Sequence, residues 1–375
     1  YAAPFSDVSA SVIAANWTTS LPDGTPFLAQ LSTASDFSGT LASSATFGTS
    51  ARFEGLASGT TYHARVATTA AGPFLALGST VTLLAPSPGT LIRSSRSGLW
   101  SSSGTWDAGV LPTRDFPVTI LAGHAVTVDL TSAEASTLTV RGTLSFSRVA
   151  NSTLTLVGGD AVVESGGTLD LGTAADPIAG VRAHLVLPLG TAARTYSLTV
   201  QEGSRFFVHG APKVPYGAAL GDLAPGATSV LMRAADVSGW AVGDEITLGN
   251  TETSAADQTE RRTVTGISGT EPKTVSWAGG LAYSHAAARP LMVANLTRTV
   301  VVRSSGAVRA SNTAYVLSAI RSLADCQIRF GEFAYLGRWT GGGAGAGYSF
   351  VLYGLGGGAK AAISNSTFRD GAQGV

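Results

Sequence analysis

The stretch LTVRGTLSF, residues 138–146, decides the fold that we predict for most of this 375-residue chain. Residues 138–140 and 143–146 each alternate apolar with polar or small side chains, and Gly142 lies between the two runs. Alternation with a period of two is typical of a half-buried β-strand, and glycine marks a sharp turn. Similar runs with a glycine at or near their ends recur at 123–129, 154–159, 166–172 and 198–203. Since one such coil cannot bury its inner face alone, the repeat predicts a stacked solenoid.

The composition excludes several classes of function. Hydrophobic residues make up 44% of the chain, charged residues make up 13%, and the formal net charge is zero. Nucleic acids and anionic membranes bind to basic protein surfaces, and a neutral composition gives no reason to expect such a surface. We therefore expect neither as a partner. No apolar run approaches the ~20 residues of a membrane span. Short β-branched runs broken by Gly, Asn, Asp and Ser predict an all-β protein.

The region 1–85 has the order of a β-sandwich. Strand patterns at 8–17 and 27–33 are followed by Leu56, by a Gly-Thr turn at 59–60, and by Tyr62, which opens an alternating strand. This order matches the tyrosine corner, in which the hydroxyl bonds to the backbone a few residues upstream. The region resembles a fibronectin type III domain, which implies an immunoglobulin-like β-sandwich used as a spacer or adhesive module. Two prolines and a glycine within 86–90 make that segment a linker.

The region 91–303 contains an ordered set of glycine and aromatic motifs. It opens with Gly104-Thr105-Trp106, Gly123-His124 and the repeated Gly-Thr-Leu turns, and five motifs follow in order: His209-Gly210, 239–246, 258–260, 281–285 and 296–302. Together they resemble the eight-glycine domain of fibrocystin-type receptors and of related cell-surface and secreted hyaluronidases. We therefore expect an eight-glycine-type β-rich domain and the start of a β-helix over 91–303. A right-handed parallel β-helix is expected to follow over 304–375, with coils that continue beyond the chain end.

Several polar residues in these motifs have local structural explanations. Gly243 permits a tight turn around which Asp244 can bond the backbone. Glu260 is followed by two arginines, which predicts a local ion pair or a solvated face. His285 is expected in a loop, and Arg298 is expected at the sheet surface where a strand begins.

The residues suited to catalysis or metal binding are few. Cys326 is the only cysteine, which rules out an intrachain disulfide, and we expect it to be a small buried apolar residue. The histidines are not at metal-ligand spacing, and we predict no catalytic, metal-binding or cofactor-binding residue. They are His63, His124, His184, His209 and His285.

The resemblance to hyaluronidases implies a proline and a closely spaced histidine pair in the coil after the step at 335–338. The matching stretch, from Tyr348 to Tyr353, contains neither residue type. We therefore expect the chain not to be an enzyme. A carboxylate pair assembled across coils, such as Asp325 with Glu332, stays open as an alternative for glycoside cleavage.

Three aromatic residues bracket a glycine-rich run at 341–358, namely Trp339, Tyr348 and Tyr353. They are candidates for contact with a glycan or a partner, since aromatic rings stack on sugars. Packing within the β-helix is the alternative and more common use of such residues. Phosphate binding by the run itself is disfavoured because no Lys-Ser/Thr and no helix follows it.

From these features we predict a secreted or cell-surface protein of bacterial origin with a structural or adhesive, non-catalytic role. The β-helix is expected to form a rigid rod, assembled into a fibre or surface layer through contacts with other copies or with cell-surface components. The alternative is a protein that binds or degrades polysaccharide. Four triplets have the N-glycosylation pattern, beginning at Asn16, Asn151, Asn295 and Asn365.

Overall fold

The computed structural model describes residues 3–68, 72–191, 194–252, 257–286, 289–308, 313–337, 350–352 and 361–371. These residues confirm the all-β prediction. The helices among them are two short 3-10 turns, Ser103–Thr105 and Ala234–Val237. Neither turn has the length or the apolar character needed to cross a membrane.

The N-terminal unit is an antiparallel β-sandwich. Its strands are β1 (Phe5–Ser6), β2 (Ile13–Asn16), β3 (Phe27–Ser32), β4 (Leu41–Thr46), β5 (Ser50–Phe53), β6 (Thr61–Ala67) and β7 (Leu75–Val81). They form a three-stranded sheet, β1-β2-β5, and a four-stranded sheet, β4-β3-β6-β7. Trp17 packs edge-on against Phe27 in the core between them. The Tyr62 hydroxyl accepts a hydrogen bond from the Ala57 N–H at 3.0 Å, as the tyrosine corner predicts.

Parallel coils begin directly after the linker. Their strands are β8 (Ile92–Arg93), β9 (Gly98–Leu99), β10 (Val118–Ile120), β11 (Ala125–Val128), β12 (Ala133–Ala135), β13 (Leu138–Val140), β14 (Thr143–Phe146), β15 (Ser152–Leu156), β16 (Ala161–Val163), β17 (Thr168–Leu171), β18 (Ala183–Leu187), β19 (Ser197–Val200) and β20 (Arg205–His209). The stretch LTVRGTLSF, residues 138–146, forms β13 and β14. Gly142 turns the chain between them.

An antiparallel unit then interrupts the coils, and we call residues 211–298 the insert. Its strands are β21 (Tyr216–Ala218), β22 (Ser229–Met232), β23 (Glu245–Leu248), β24 (Glu260–Ser268), β25 (Lys273–Trp277) and β26 (Met292–Asn295). Their order in the sheet is β21-β26-β23-β24-β25-β22. The insert buries its own apolar cluster, which includes Trp240, Ile246 and Val293. The sequence did not predict this unit.

The coils resume after the insert. Their strands are β27 (Val300–Ser304), β28 (Tyr315–Ser318), β29 (Cys326–Arg329), β30 (Gly331–Ala334), β31 (Phe350–Leu352), β32 (Ala362–Ser364) and β33 (Thr367–Arg369). Strand β18, before the insert, pairs in parallel with β27 after it. The insert is therefore a long excursion from one stack of coils.

Three parallel sheets wall the solenoid. The first sheet is β31-β28-β19-β16-β13-β10-β8, the second is β32-β29-β20-β17-β14-β11-β9, and the third is β12-β15-β18-β27-β30-β33. Parallel strands joined through successive coils in this way form the predicted right-handed parallel β-helix, since such crossovers are almost always right-handed. The prediction of the fold class is confirmed.

Equivalent side chains of successive coils stack inside the solenoid. Phe333 and Phe368 stack with ring centroids 4.9 Å apart, and Phe350 packs edge-on against Phe333 at 5.4 Å. Cys326 is fully buried in the same core, and burial raises the pKa of its thiol to about 11. This confirms Cys326 as an apolar packing residue and not a reactive thiol.

Candidate functional site

The aromatic residues singled out in the sequence, Trp339, Tyr348 and Tyr353, lie outside the described residues, as does most of the glycine-rich run. The two carboxylates that the sequence left open as an alternative pair lie at different sheets. Asp325 precedes β29 and pairs with Arg205 at 3.5 Å on the second sheet, whereas Glu332 lies in β30 of the third sheet. The structure therefore does not favour this alternative, because β29 and β30 belong to different sheets of the coil.

A network of ion pairs lies where the insert meets the third sheet, and we call it the joint. Glu332 is buried, with 5% of its surface exposed, and its Oε1 accepts a hydrogen bond from the Arg369 Nε at 2.8 Å. Strand pairing sets this contact, since β30 and β33 are neighbours in the third sheet. Burial raises the pKa of the Glu332 carboxyl even though Arg369 opposes that shift.

Asp370 ties the last described coil to the insert. Its Oδ1 accepts from the NH2 of Arg261, in β24, at 2.8 Å, and its Oδ2 accepts from the NH1 of Arg369 at 2.6 Å. Burial raises the pKa of the Asp370 carboxyl, but the hydrogen bonds from these two arginines outweigh it and the pKa is lowered. Glu245, in β23, lies 3.5 Å from Arg261 and 3.6 Å from Arg369. Three carboxylates thus share two guanidinium groups across the joint.

The turn before β23 has the structure that the sequence predicts. Gly243 has a positive φ of 91°, and Asp244 Oδ2 accepts from the Ala241 N–H at 2.8 Å. The same carboxylate binds Lys213 Nζ at 2.6 and 2.7 Å and Asn295 Nδ2 at 2.8 Å. Burial lowers the pKa of Lys213, although Asp244 opposes the shift. Asp244 therefore holds both ends of the insert together.

Arg298 is buried, with 3% of its surface exposed, so its predicted place at the sheet surface is wrong. Its NH1 donates to the carbonyl oxygens of Asn295 and Thr297 at 2.9 and 2.8 Å, and its Nε donates to the Asn365 carbonyl at 3.1 Å. The insert covers the start of β27, which a strand pattern cannot reveal. Burial lowers the pKa of Arg298.

A second buried group lies within the insert, around Glu260. Arg262 pairs with Glu260 at 2.6 Å, which confirms the predicted local ion pair, although Glu260 is buried and not on a solvated face. Glu260 also accepts the N–H groups of Ala282 and Tyr283 at 2.9 and 3.1 Å. His285 lies in a loop as predicted, yet it is 0% exposed, with Nε2 at 3.3 Å from Glu260 Oε2. These contacts hold the segment 282–285 against the start of β24.

The outer face of the third sheet carries basic side chains for which the described residues provide no carboxylate partner. His184 and Arg303 project from β18 and β27, and the guanidinium carbon of Arg303 lies 4.8 Å from the Tyr335 ring centroid. Burial lowers the pKa of His184, and the charges of Arg182 and Arg303 lower it further. Among the residues that the structure describes, neither Arg182 nor Arg303 forms an ion pair. Tyr335 has a positive φ of 55°, an unusual backbone conformation for a bulky residue.

This face connects to the joint through Arg369, whose guanidinium carbon lies 5.9 Å from the Tyr335 ring. Beyond Arg369 lies a polar cleft of about 340 Å³ between strands of the insert. Its lining includes Glu245, Arg261 and Thr263. We call Arg303, Tyr335, Arg369, Glu245 and Arg261 the arginine–tyrosine path. The sequence analysis singled out the segment beginning at Tyr335. It did not indicate Arg303, because the strand that supplies Arg303 is distant from Tyr335 along the chain.

The described residues also include no group of three or more His, Cys, Asp or Glu side chains placed to hold a metal ion.

Comparison with known proteins supports part of this description. Residues 105–217 match the family model of the G8 domain, which is found in fibrocystin- and hyaluronidase-like extracellular proteins. The solution structure of the fn3 domain of the human collagen alpha-1(XX) chain is 29% identical, covers 23% of this chain and 81% of that chain, and has a TM-score of 0.19. A TM-score this low does not support a fold assignment. The β-sandwich is assigned instead from the pairing of strands β1 to β7 in this chain. No curated protein matches the chain. Residues 105–217 are therefore similar to the G8 domain, and this range is shorter than the 91–303 predicted from the sequence motifs.

Proposed function

We propose that this chain is a non-catalytic structural and adhesive protein of the cell exterior, with the β-helix as its rigid rod. The similarity of residues 105–217 to a domain of extracellular proteins supports the location. Contacts with other copies of the chain or with cell-surface components supply the adhesion. The parallel coils share one continuous apolar core, which resists bending because each coil packs on the next.

The observation that carries the proposal is the way in which the charges of the joint are used. Glu332 and Asp370 have pKa values shifted in opposite directions, a pattern that is common in acid–base pairs of enzymes. Here both carboxylates are bound to Arg369, and Asp370 is bound to Arg261 as well. Their hydrogen bonds fasten the insert to the last described coils, which is a mechanical role.

Adhesion is tested with beads that carry the folded chain. We expect such beads to aggregate with one another or to adhere to whole bacterial cells, while beads carrying the heat-unfolded chain stay dispersed. Light scattering and negative-stain microscopy of the soluble chain report on fibres or layers. A chain that stays monomeric and adheres to nothing would overturn the proposal.

A second candidate function, polysaccharide binding, is favoured by the arginine–tyrosine path. An aromatic ring flanked by two guanidinium groups, with threonine hydroxyls and a carboxylate in the adjoining cleft, offers the contacts that an acidic sugar needs. Arg303 is free of carboxylate partners among the described residues, so binding an anion there breaks no internal ion pair.

This candidate is tested by affinity electrophoresis in gels that contain a uronic-acid polymer or a neutral glucan. Retardation by the acidic polymer only, reduced at least tenfold in affinity by Arg303→Gln, supports it. Arg321→Gln is the matched control, since Arg321 is an exposed arginine that pairs with Glu202 at 3.1 Å. Equal retardation of the parent and the Arg303→Gln variant would rule the candidate out.

A further inference from the structure

A stacked arginine lies on the outer face of the four-stranded sheet of the sandwich. Strand β6 alternates buried Tyr62, Ala64 and Val66 with half-buried His63 and Arg65, so the latter two side chains point away from the core. The guanidinium carbon of Arg65 lies 3.9 Å from the centroid of the Phe37 ring and 4.0 Å from that of the Phe74 ring. Two rings at these distances cannot share one face of a guanidinium group, so they enclose it from both sides.

Neighbouring residues fix the orientation of this group. The Arg65 Nε donates to Gln30 Oε1 at 2.8 Å, and Gln30 in turn donates to Ser43 Oγ at 3.4 Å. Gln30 lies directly opposite Arg65 in the pairing of β3 with β6. The two rings occupy both faces of the Arg65 guanidinium, and Gln30 occupies its Nε–H. The N–H groups of NH1 and NH2 are therefore the donors left to bind another group. Among the described residues no carboxylate pairs with Arg65.

The loop that supplies one ring is held in an uncommon conformation. Phe37 has a positive φ of 62°, and its N–H donates to the Ala34 carbonyl at 3.0 Å. Asp36 accepts from both the N–H and the hydroxyl of Ser38, at 3.0 and 2.6 Å. A bulky residue is kept in such a conformation when the surrounding contacts require it, and these residues cluster at binding sites.

The surface around Arg65 is mixed in character. Leu41 is 47% exposed and lies opposite Ser32, which in turn pairs with His63 on the same outer face. Aromatic residues and arginine are enriched at the centre of protein–protein interfaces. A planar guanidinium fork binds a carboxylate with two parallel hydrogen bonds.

We propose that this face, formed by Arg65, Phe37, Phe74 and Leu41, docks an acidic segment of another protein, whose carboxylate binds the NH1 and NH2 edge of Arg65. The apolar neighbours favour a peptide over a sugar, since each ring already uses a face on the guanidinium. The inference goes beyond the proposed function, because its evidence is the geometry of the sandwich and none of it comes from the β-helix.

The test uses the full chain labelled with ¹⁵N at arginine and a synthetic eight-residue peptide of alternating Glu and Leu. We expect the Nε–H signal of Arg65, assigned by its loss in Arg65→Lys, to shift with the Glu peptide. A matched peptide of alternating Gln and Leu should leave it unmoved.

Fluorescence anisotropy of the labelled Glu peptide provides the affinity. Arg65→Lys and Phe74→Leu should each weaken binding at least tenfold, and added salt should weaken it further. Arg52→Gln serves as the control, because Arg52 is an exposed arginine of the same sandwich that pairs with Glu54 and Asp7. Thermal unfolding verifies that each variant is folded.

The proposal is overturned if the Gln peptide binds as well as the Glu peptide, or if the Arg65 signal does not move at millimolar Glu peptide. It is also overturned if a uronic-acid polymer shifts that signal while the Glu peptide does not, since the face would then be a sugar site.

Discussion

Tyr62 shows how one side chain fixes a local structure that the sequence predicts. Its ring is buried in the sandwich core, and its hydroxyl accepts the Ala57 N–H at 3.0 Å. Tyr62→Phe keeps the ring and leaves a partly buried N–H without its acceptor. We expect the sandwich to lose about 1–2 kcal/mol of stability.

Hydrogen exchange of β6 in the full chain checks this expectation. Exchange should accelerate in Tyr62→Phe and stay unchanged in Tyr216→Phe, since Tyr216 is an exposed tyrosine of the insert. Equal exchange in the parent and in Tyr62→Phe would contradict the role of the hydroxyl.

Glu260 makes stability depend on pH. Burial raises the pKa of its carboxyl, but the N–H groups of Ala282 and Tyr283, together with His285 and Arg262, outweigh burial and lower the pKa. The folded protein therefore holds this proton less tightly than the unfolded chain, in which the pKa is about 4.3. The stabilisation is present above about pH 4.3 and disappears as the pH falls through the lowered pKa.

Glu260→Gln should accordingly be less stable than the parent at pH 7, and the difference should shrink as the pH falls below about 4.3. Urea midpoints measured across this range report the effect. Glu54→Gln, at an exposed carboxylate, is the control for the substitution itself. A difference that stays constant with pH would show that the ionised carboxylate is not the cause.

Single residues differ in how well the sequence predicts them. Tyr62 and Asp244 were predicted correctly because their partners lie within five residues along the chain. Arg298 and His285 were predicted to be less buried than they are, because the groups that cover them come from distant segments. The sequence did not predict the stacking of Arg65 between two rings, since Phe37 and Phe74 are not its neighbours along the chain.

At the level of the strands, the Gly-Thr-Leu turns set the spacing of the coils. A Cβ atom at Gly142 would lie 2.3 Å from the carbonyl oxygens of Leu121 and His124 in the neighbouring coil. One at Gly167 would lie 2.3 Å from the carbonyl oxygen of Val140. Since backbone on both sides is fixed by the parallel ladders, it cannot move aside as a flexible side chain would.

Gly142→Ala should therefore destabilise the β-helix by about 1–3 kcal/mol or more. Gly180→Ala is the matched control, because a Cβ there meets no atom within 4 Å. Thermal unfolding by circular dichroism should show a lower midpoint for the first variant than for the second. Equal midpoints would mean that the coils can separate at this corner.

The parallel strands were predictable from sequence and the insert was not. In the coils, short alternating runs with glycine at the corners recur at similar spacing, so the stacking follows from the pattern. The strands of the insert show the same alternation, but antiparallel pairing depends on which segments meet across 211–298. Strand patterns alone do not contain that information.

For the molecule as a whole, the joint couples the insert to the β-helix. Asp370→Asn removes a carboxylate that binds both Arg261 and Arg369. Hydrogen bonds to charged groups contribute about 1.5–3 kcal/mol. We therefore expect Asp370→Asn to lower the free energy of local unfolding of the insert by an amount of that order.

Hydrogen exchange should then rise in β23 and β24 and remain unchanged in β10 and β13. Glu202→Gln, at an exposed ion pair with Arg321, is the control and should alter neither region. If exchange rose equally across the whole chain in Asp370→Asn, the variant would be globally destabilised. That result would contradict a joint that acts locally.

The proposal that the chain is an adhesive rod and does not cleave polysaccharide is tested most directly by product release. The full chain is incubated with a surface coated with labelled uronic-acid polymer, and the label that enters solution is measured over time. We predict no release above that of the heat-unfolded chain, for the parent and for Glu332→Gln alike. Release of short labelled oligosaccharides by the parent, abolished in Glu332→Gln, would contradict the proposal.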